Sequence, residues 1–204
     1  MKKVMRANFG FDRNPHRWDV NFTDYYWFAD GFDSNELTQI EQMTKILPFE
    51  DAATGEGESS KKSDYRKSRV KWCPQNQEWG WVYEKLHNMI VEANQKMWKF
   101  DLSTMNESIQ YTEYYGSQEG GYDWHMDCGI EIQNQRKISV TVQLSDSNEY
   151  EGGDLQFNIG KEMTAPSQKG AAILFPSFYL HRVTPVTSGI RKSFVLWVGG
   201  EPYR

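Results

Sequence analysis

In "RKISVTVQLS", residues 136–145, every second side chain is apolar. A period of two is that of a β-strand, so this segment predicts a strand with one apolar and one polar face. The apolar positions are Ile138, Val140, Val142 and Leu144, and the polar positions between them are Ser139, Thr141 and Gln143.

Other segments of the same character follow one another after about residue 106, separated by turns that contain glycine or proline. Closely spaced strands without intervening helices are typical of a sandwich or barrel. The chain has no internal repeat and no obvious linker, so we expect a single domain over residues 1–204. The additional strand segments are "SIQYTEYY" (108–115), "GDLQFNI" (153–159), "GAAILFP" (170–176), "FYLHRVTPV" (178–186) and "IRKSFVLWVGG" (190–200).

The N-terminal half has a different pattern. Apolar residues recur at helical spacing after Ser34, which is suited to cap a helix, and again across residues 78–98. His87 lies in the second helical segment, and we expect it to be structural rather than a ligand. Residues 50–68 are poor in apolar side chains and contain glycine, serine and mixed charge, which predicts a mobile loop. An exposed linker and a lid over a substrate are both consistent with this loop.

Composition narrows the classes of partner. The net charge of −5 gives no general attraction to a phosphate backbone, so nucleic acid is a disfavoured partner. The two cysteines, Cys73 and Cys128, are too few for a disulfide scaffold and suit a reducing compartment as free thiols. The sequence has no secretory h-region and no run of eighteen apolar residues. We therefore expect a cytoplasmic protein without a membrane partner.

The segment "YDWHMDCG", residues 122–129, holds the first candidate ligands. On a strand, His125 and Asp127 would project to the same side. By itself this pair is as consistent with an ordinary structural role as with a metal site. His181, in another predicted strand of the same half, would complete a set of two imidazoles and one carboxylate. Non-haem Fe(II) oxygenases use that set, and zinc hydrolases also use histidine and aspartate ligands.

A basic residue follows the last of these candidates. Ten residues after His181, Arg191 and Ser193 share one face of the strand segment "IRKSF". If the strands of His181 and Arg191 form a hairpin, Arg191 lies about four residues, or roughly 13 Å, along the ladder. An arginine inside a barrel is costly unless an anion meets it. A dicarboxylic cosubstrate bound to a metal at one end and to Arg191 at the other would fit this spacing.

The His-x-Asp pair, the distal histidine and the arginine ten residues later resemble the Fe(II)/2-oxoglutarate-dependent dioxygenases. Three longer segments are similar to the prolyl-4-hydroxylase-like branch, especially its bacterial and phage PKHD-type hydroxylases. These segments are "YTEYYGSQEGGYDWHMD", "RKISVTVQLSDSNEYEGGDLQF" and "HRVTPVTSGIRKSFVLWVGG", and the resemblance covers about residues 65 to 200. It implies a double-stranded β-helix (jelly-roll) core over residues 106–204, with residues 1–105 as a helical and aromatic support.

The resemblance also implies roles for individual residues. His125, Asp127 and His181 would hold Fe(II), and Arg191 with Ser193 would bind the distal carboxylate of 2-oxoglutarate. Tyr115 corresponds to a tyrosine that hydrogen-bonds this cosubstrate in related enzymes, and Tyr114 takes its place if the register differs. Thr141 and Gln143 are weaker pocket candidates. By strand parity Trp124, Met126 and Cys128 are expected to point away from the metal.

The family's reaction couples oxidative decarboxylation of 2-oxoglutarate by O2 to hydroxylation of a substrate, with ascorbate as a reductant. A prolyl residue of a peptide or protein is the implied substrate. Asp127 favours hydroxylation, because related halogenases have a small residue there. Collagen-type relatives commonly have lysine where this chain has Arg191, so a collagen-like substrate is not implied.

Several alternatives stay open at the level of sequence. They are a free amino acid or small-molecule substrate, a non-catalytic β-helix that serves as a binding or virion module, and a zinc hydrolase. Demethylation of nucleic-acid bases is disfavoured, since Trp197 stands where such relatives carry a second arginine. The oligomeric state is not indicated by the sequence.

Overall fold

The structure is a computed structural model that describes residues 25–51, 65–103, 105–129 and 135–201. Within these ranges thirteen strands form two antiparallel sheets, and two α-helices cover one of them. The prediction of a mainly β, jelly-roll fold with N-terminal helices is therefore confirmed. No helix in these ranges is long and apolar enough to span a membrane.

The larger sheet has eight strands. Seven of them lie in the order β1-β11-β7-β13-β5-β4-β2, and β8 pairs with the first part of the long strand β13. Its strands are β1 (Tyr26–Phe28), β2 (Glu50–Asp51), β4 (Arg69–Cys73), β5 (Ile109–Tyr115), β7 (Arg136–Gln143), β8 (Tyr150–Gly152), β11 (Ala172–Pro176) and β13 (Val186–Gly199).

The smaller sheet has five strands in the order β10-β9-β12-β6-β3. Its strands are β3 (Arg66–Lys67), β6 (Gly121–His125), β9 (Leu155–Asn158), β10 (Glu162–Thr164) and β12 (His181–Val183). Side chains of both sheets line a common cavity, so the two sheets face each other across the functional site described below.

The two helices are α1 (Ser34–Lys45) and α2 (Gly80–Lys96). The N-cap of α1 is Asp33 rather than the expected Ser34. The Asp33 carboxylate accepts from the amides of Asn35 and Glu36, and the Glu36 side chain accepts from the Asp33 amide. This capping box satisfies amides at the first turn of the helix, and Ser34 becomes the first helical residue.

The main apolar core lies between the helices and the larger sheet. The predicted alternation in β7 is present, because Ile138, Val140 and Val142 belong to this core. Phe194, Leu196 and Val198 of β13 lie beside them, and the apolar stripe of α2, including Leu86 and Ile90, packs onto the same cluster. His87 is exposed on the other side of α2. The polar faces of β7 and β13 are thereby left to face the smaller sheet.

The strands differ from the interpretation of the sequence in two respects. The strands of His181 and Arg191 do not form a hairpin, since β12 belongs to the smaller sheet and β13 to the larger one. In addition, residues 26–28, 50–51 and 66–73 add strands to the sheets from a region expected to supply only helices and a loop. The predicted loop 50–68 therefore has strands near both of its ends. Its residues 52–64 lie outside the described ranges, so the hypothesis of a lid stays untested.

Candidate active site

Three potential metal ligands converge at one end of the smaller sheet. His125 ends β6 and His181 begins β12, and the two residues are directly opposite each other in the antiparallel ladder. Asp127 follows two residues after His125. The ligand atoms of the three side chains all lie within 4.8 Å of one another. Strand pairing therefore brings together residues that are far apart in the sequence.

Backbone carbonyls orient both imidazoles. Nδ1 of His125 lies 2.7 Å from the carbonyl oxygen of Asp123, and Nδ1 of His181 lies 2.9 Å from that of Tyr179. With Nδ1 engaged, each ring presents Nε2 to Asp127, at 3.5 Å from Oδ1 for His125 and 3.5 Å from Oδ2 for His181. Such contacts fix the tautomer and ring orientation of histidine ligands.

Two serines fix the position of Asp127. Its Oδ2 accepts a hydrogen bond from the Ser139 hydroxyl at 2.7 Å, and its amide donates to the carbonyl of Ser177 at 2.8 Å. The two serine hydroxyls lie 2.9 Å apart. Ser139 comes from β7 of the larger sheet, so the carboxylate is held from both sheets.

The electrostatics favour the protonation states that metal ligands need. Burial by itself would raise the pKa of Asp127, but His181, His125 and the Ser139 hydrogen bond outweigh burial and hold that pKa below its ordinary value. Burial lowers the pKa of His181, although Asp127 acts in the opposite direction. An ionised carboxylate and a neutral imidazole are the forms that coordinate a metal.

Tyr122 covers one side of this group. Its ring stacks on the His125 imidazole with centroids 3.5 Å apart and an interplanar angle of 16°. Tyr122 and His125 are three positions apart in β6, yet they lie on the same face because the β6–β12 pairing shifts register between them. Burial raises the pKa of the Tyr122 hydroxyl to about 12, which keeps that hydroxyl protonated.

Arg191 lies in the same cavity, on the facing sheet, and is 1% exposed. Its Nη2 donates to Oε1 of Gln143 at 3.0 Å and its Nη1 to the Ser193 hydroxyl at 3.4 Å. Nε is buried without a hydrogen-bond partner. Among the described residues no carboxylate lies within 4.0 Å of this guanidinium, and its two hydrogen-bond partners, Gln143 and Ser193, are neutral. A buried guanidinium with an unused donor fits an anionic ligand.

The two tyrosines at the end of β5 lie on opposite faces of the larger sheet. Tyr114 is buried, lines the cavity and pairs with Arg191 across the ladder, with its ring centre 5.6 Å from the guanidinium carbon. Tyr115 instead donates its hydroxyl hydrogen bond to Glu113, which faces away from the cavity. Burial and that hydrogen bond raise the pKa of Tyr115 to about 12. The structure therefore brings Tyr114, and not the expected Tyr115, to the site.

The remaining expectations concern neighbours of these residues. Thr141 lines the cavity, as does Trp197, and Gln143 contacts Arg191. Met126 is 54% exposed, and the Trp124 ring packs under the guanidinium of Arg182 at 4.5 Å. Cys128, although close in sequence, is not part of the ligand group found among the described residues.

Sequence reasoning missed four residues that support or line the site: Ser139, Ser177, Tyr122 and Arg66. The sequence could have indicated Ser139, because this residue lies on the polar face of the alternating pattern in β7. Arg66 lines the cavity from β3, a two-residue strand with no recognisable period. Its contribution depends on pairing with β6, which the local sequence does not indicate.

Several known proteins are similar to this chain. A family model described as the 2OG-Fe(II) oxygenase superfamily matches residues 109–199. A PKHD-type hydroxylase of Psychrobacter sp. (strain PRwf-1) is 30% identical over 173 residues, which cover 80% of this chain and 65% of the relative. One from Synechococcus sp. (strain CC9902) is 42% identical over 81 residues, covering 38% of this chain and 36% of the relative. The chain thus spans less than two thirds of the length of these curated relatives.

Solved structures share the fold. A prolyl hydroxylase from Trichoplax adhaerens, in complex with a hypoxia inducible factor oxygen degradation domain peptide fragment, superposes with a TM-score of 0.70 at 17% identity, over 88% of this chain and 85% of that one. A prolyl-4-hydroxylase of Pseudomonas putida gives 0.64 at 16% identity, over 88% and 94%. At these identities the likeness concerns the fold alone.

Proposed function

We propose that the chain is an Fe(II)- and 2-oxoglutarate-dependent hydroxylase of a prolyl residue in a peptide or protein, in the PKHD-type and prolyl-4-hydroxylase-like branch of the 2OG-Fe(II) oxygenase superfamily. One observation carries the proposal. Two imidazoles and a carboxylate converge on one side of a cavity whose opposite side holds a buried arginine that has no counterion among the described residues.

The residues divide the work between the two sheets. His125, Asp127 and His181 would hold Fe(II), and the carbonyls and serines behind them keep the three donors in place. Arg191 would bind the distal carboxylate of 2-oxoglutarate through its fork, with Ser193 as a second donor. Tyr114, whose ring centre lies 5.6 Å from the Arg191 guanidinium carbon, would offer its hydroxyl to the same cosubstrate. When bound, the iron and 2-oxoglutarate supply the oxidative decarboxylation by O2 that yields succinate, CO2 and a hydroxylated substrate.

The choice of a prolyl substrate follows the relatives. The Trichoplax enzyme was solved with a peptide fragment, and several similar structures are prolyl hydroxylases. Ascorbate is the reductant that the same resemblance implies. A cytoplasmic location is part of the proposal, because Cys73 and Cys128 are both free thiols.

A peptide-library screen tests the proposal. The protein is incubated with Fe(II), 2-oxoglutarate and O2, succinate is quantified, and peptides are searched for a mass gain of one oxygen. We expect a prolyl peptide to gain oxygen in proportion to succinate, and Arg191→Ala and His125→Ala to abolish the gain. Lys67→Gln, an exposed change on β3, is the control that should retain it.

Other outcomes would point elsewhere. Succinate without any modified peptide would favour a free amino acid or small-molecule substrate. No succinate from the metal-loaded protein with any substrate, and no effect of His125→Ala, would favour a non-catalytic binding module and refute the proposal.

A further inference from the structure

The cavity holds a second guanidinium that the proposed chemistry does not use. Arg66 of β3 lines the same cavity as the three candidate ligands and Arg191. Its Nη2 donates to Oε1 of Gln110 at 2.6 Å and its Nε to the Ser68 hydroxyl at 3.0 Å. Both partners are neutral. Within the described ranges no carboxylate lies within 4.0 Å of the Arg66 guanidinium.

The position of Arg66 separates it from the cosubstrate anchor. Gln110, its partner, and Tyr114, the ladder partner of Arg191, lie on the same face of β5 four positions apart. Four residues of strand correspond to about 13 Å. The two guanidiniums are held by different partners, Arg66 by Gln110 and Ser68 and Arg191 by Gln143 and Ser193, and 2-oxoglutarate would use Arg191 and the metal for its two ends.

Arg66 is nevertheless close to the metal ligands. Its guanidinium carbon lies 5.0 Å from the centre of the Tyr122 ring, which stacks directly on the His125 imidazole. In the ladder, Arg66 is the partner of Tyr122. A group held by Arg66 would therefore lie beside the part of the cavity where a substrate carbon must approach the metal.

We propose that Arg66 binds a carboxylate of the substrate and selects substrates that carry one next to the hydroxylated carbon. This inference rests on the proposed function, and it narrows the substrate to an anionic one. The guanidinium is half-buried and partly fixed by Gln110 and Ser68, so little side-chain freedom is lost when a carboxylate binds. The carboxylate has two sources: the α-carboxylate of a chain end, or an acidic side chain beside the target in a peptide.

Two matched pairs of probes distinguish these sources. The first pair is N-acetyl-L-proline and its methylamide, and the second is the capped peptides acetyl-Ala-Pro-Glu-amide and acetyl-Ala-Pro-Gln-amide. Each dissociation constant is measured by calorimetry on protein loaded with 2-oxoglutarate and Zn(II), which does not support turnover. We expect one carboxylate probe to bind about tenfold or more tightly than its neutral partner, as charged hydrogen bonds allow.

The variants assign that preference to Arg66. Arg66→Gln should reduce the preference for the carboxylate probe to about twofold or less. Arg66→Lys should retain only part of this preference, because the point charge of an ammonium replaces the bidentate guanidinium. Lys67→Gln removes one charge from the adjacent exposed position and should leave the preference intact. Circular dichroism of each variant verifies folding.

The inference is overturned if neither carboxylate probe is preferred by the wild type, if none binds, or if Arg66→Gln keeps the preference. Failure of the proposed function has a different signature, since the Fe(II)-loaded wild type would then form no succinate. Succinate formation without a carboxylate preference would remove the role of Arg66 alone.

Discussion

At the scale of single residues, Arg191 shows how a functional group is kept at a cost to the fold. Its guanidinium is almost fully buried, and one of its nitrogens has no partner. Isolated buried charges are destabilising, and well-packed apolar replacements of buried ionic groups are often neutral or stabilising. The proposed binding of an anionic ligand would explain this residue, whereas the stability of the protein alone does not.

Replacing Arg191 with methionine tests this interpretation. We expect Arg191→Met to unfold at the same or a higher temperature than the wild type when no ligand is present, because the buried charge is gone. The thermal stabilisation that 2-oxoglutarate gives the Zn(II)-loaded wild type should disappear. Differential scanning calorimetry with and without 2-oxoglutarate measures both effects. A large drop in the melting temperature of the unliganded variant would contradict it.

The two adjacent tyrosines of β5 give a second comparison at this scale. Tyr114→Phe should weaken 2-oxoglutarate binding about fivefold or more, because it removes a hydroxyl from the cavity. Tyr115→Phe should leave that affinity within about twofold and instead cost about 1 kcal/mol of unfolding free energy, since Glu113 loses a donor. Titration calorimetry and urea unfolding of both variants measure these effects. The opposite pattern would restore Tyr115 as the cosubstrate contact.

At the scale of elements, the turn between β8 and β9 supports Arg191 from behind. Gly153 has a φ of +66°, and a Cβ added there would lie 2.8 Å from Cδ of Arg191 and 2.9 Å from Cγ2 of Val186. The left-handed conformation favours glycine, and the close approach excludes a larger residue. The turn thus fixes where the arginine side chain can lie.

A matched pair of glycine variants separates these effects. Gly153→Ala should destabilise the protein and also weaken 2-oxoglutarate binding, because Arg191 is displaced. Gly160 has a φ of +104° but nothing within 4 Å of an added Cβ, so Gly160→Ala should cost only backbone strain, about 1–2 kcal/mol. Urea unfolding and cosubstrate titration of both variants give the comparison. Equal loss of affinity in the two would show that the contact with Arg191 is unimportant.

At the scale of the whole molecule, the site joins two sheets. The candidate metal ligands come from the smaller sheet and its flanking turn, whereas Arg191, the proposed cosubstrate anchor, comes from the larger sheet. A ligand that chelates the metal and reaches Arg191 would connect the sheets. Metal and cosubstrate should therefore stabilise the fold more together than separately.

Thermal unfolding with Zn(II), with 2-oxoglutarate and with both measures this coupling. A ligand at one hundred times its dissociation constant adds about 2.7 kcal/mol. For a chain of this size that corresponds to a melting-temperature increase of roughly 5–10 °C. We expect the increase with both ligands to exceed the sum of the single increases, and Asp127→Ala to remove the excess. Strictly additive increases in the wild type would indicate independent sites.

The sequence allowed candidate site residues to be predicted where they lie in segments with a clear local pattern. His125, Asp127 and His181 could be grouped because their residue types, taken together, are unusual outside metal sites. Arg191 and Ser193 could be added because strand parity puts them on the polar face of a clearly periodic segment. These five residues lie around one cavity in the structure.

The errors arose where tertiary pairing decides. Tyr114 and Tyr115 differ only in which face of β5 they occupy, and no alternation of apolar residues in "IQYTEYY" marks that face. Arg66 was missed because a two-residue strand has no measurable period, and it exists only through pairing with β6. The placement of β12 and β13 in different sheets depends on how the chain crosses between them, which local propensity does not encode.

The cross-strand pairing of His125 with His181 has an evolutionary consequence. Neighbours in a ladder keep their spacing regardless of what the chain does between them, so the intervening loops can accept insertions and exchanges without moving either imidazole. Loops and rim residues could then change the substrate while the two candidate ligands keep their spacing.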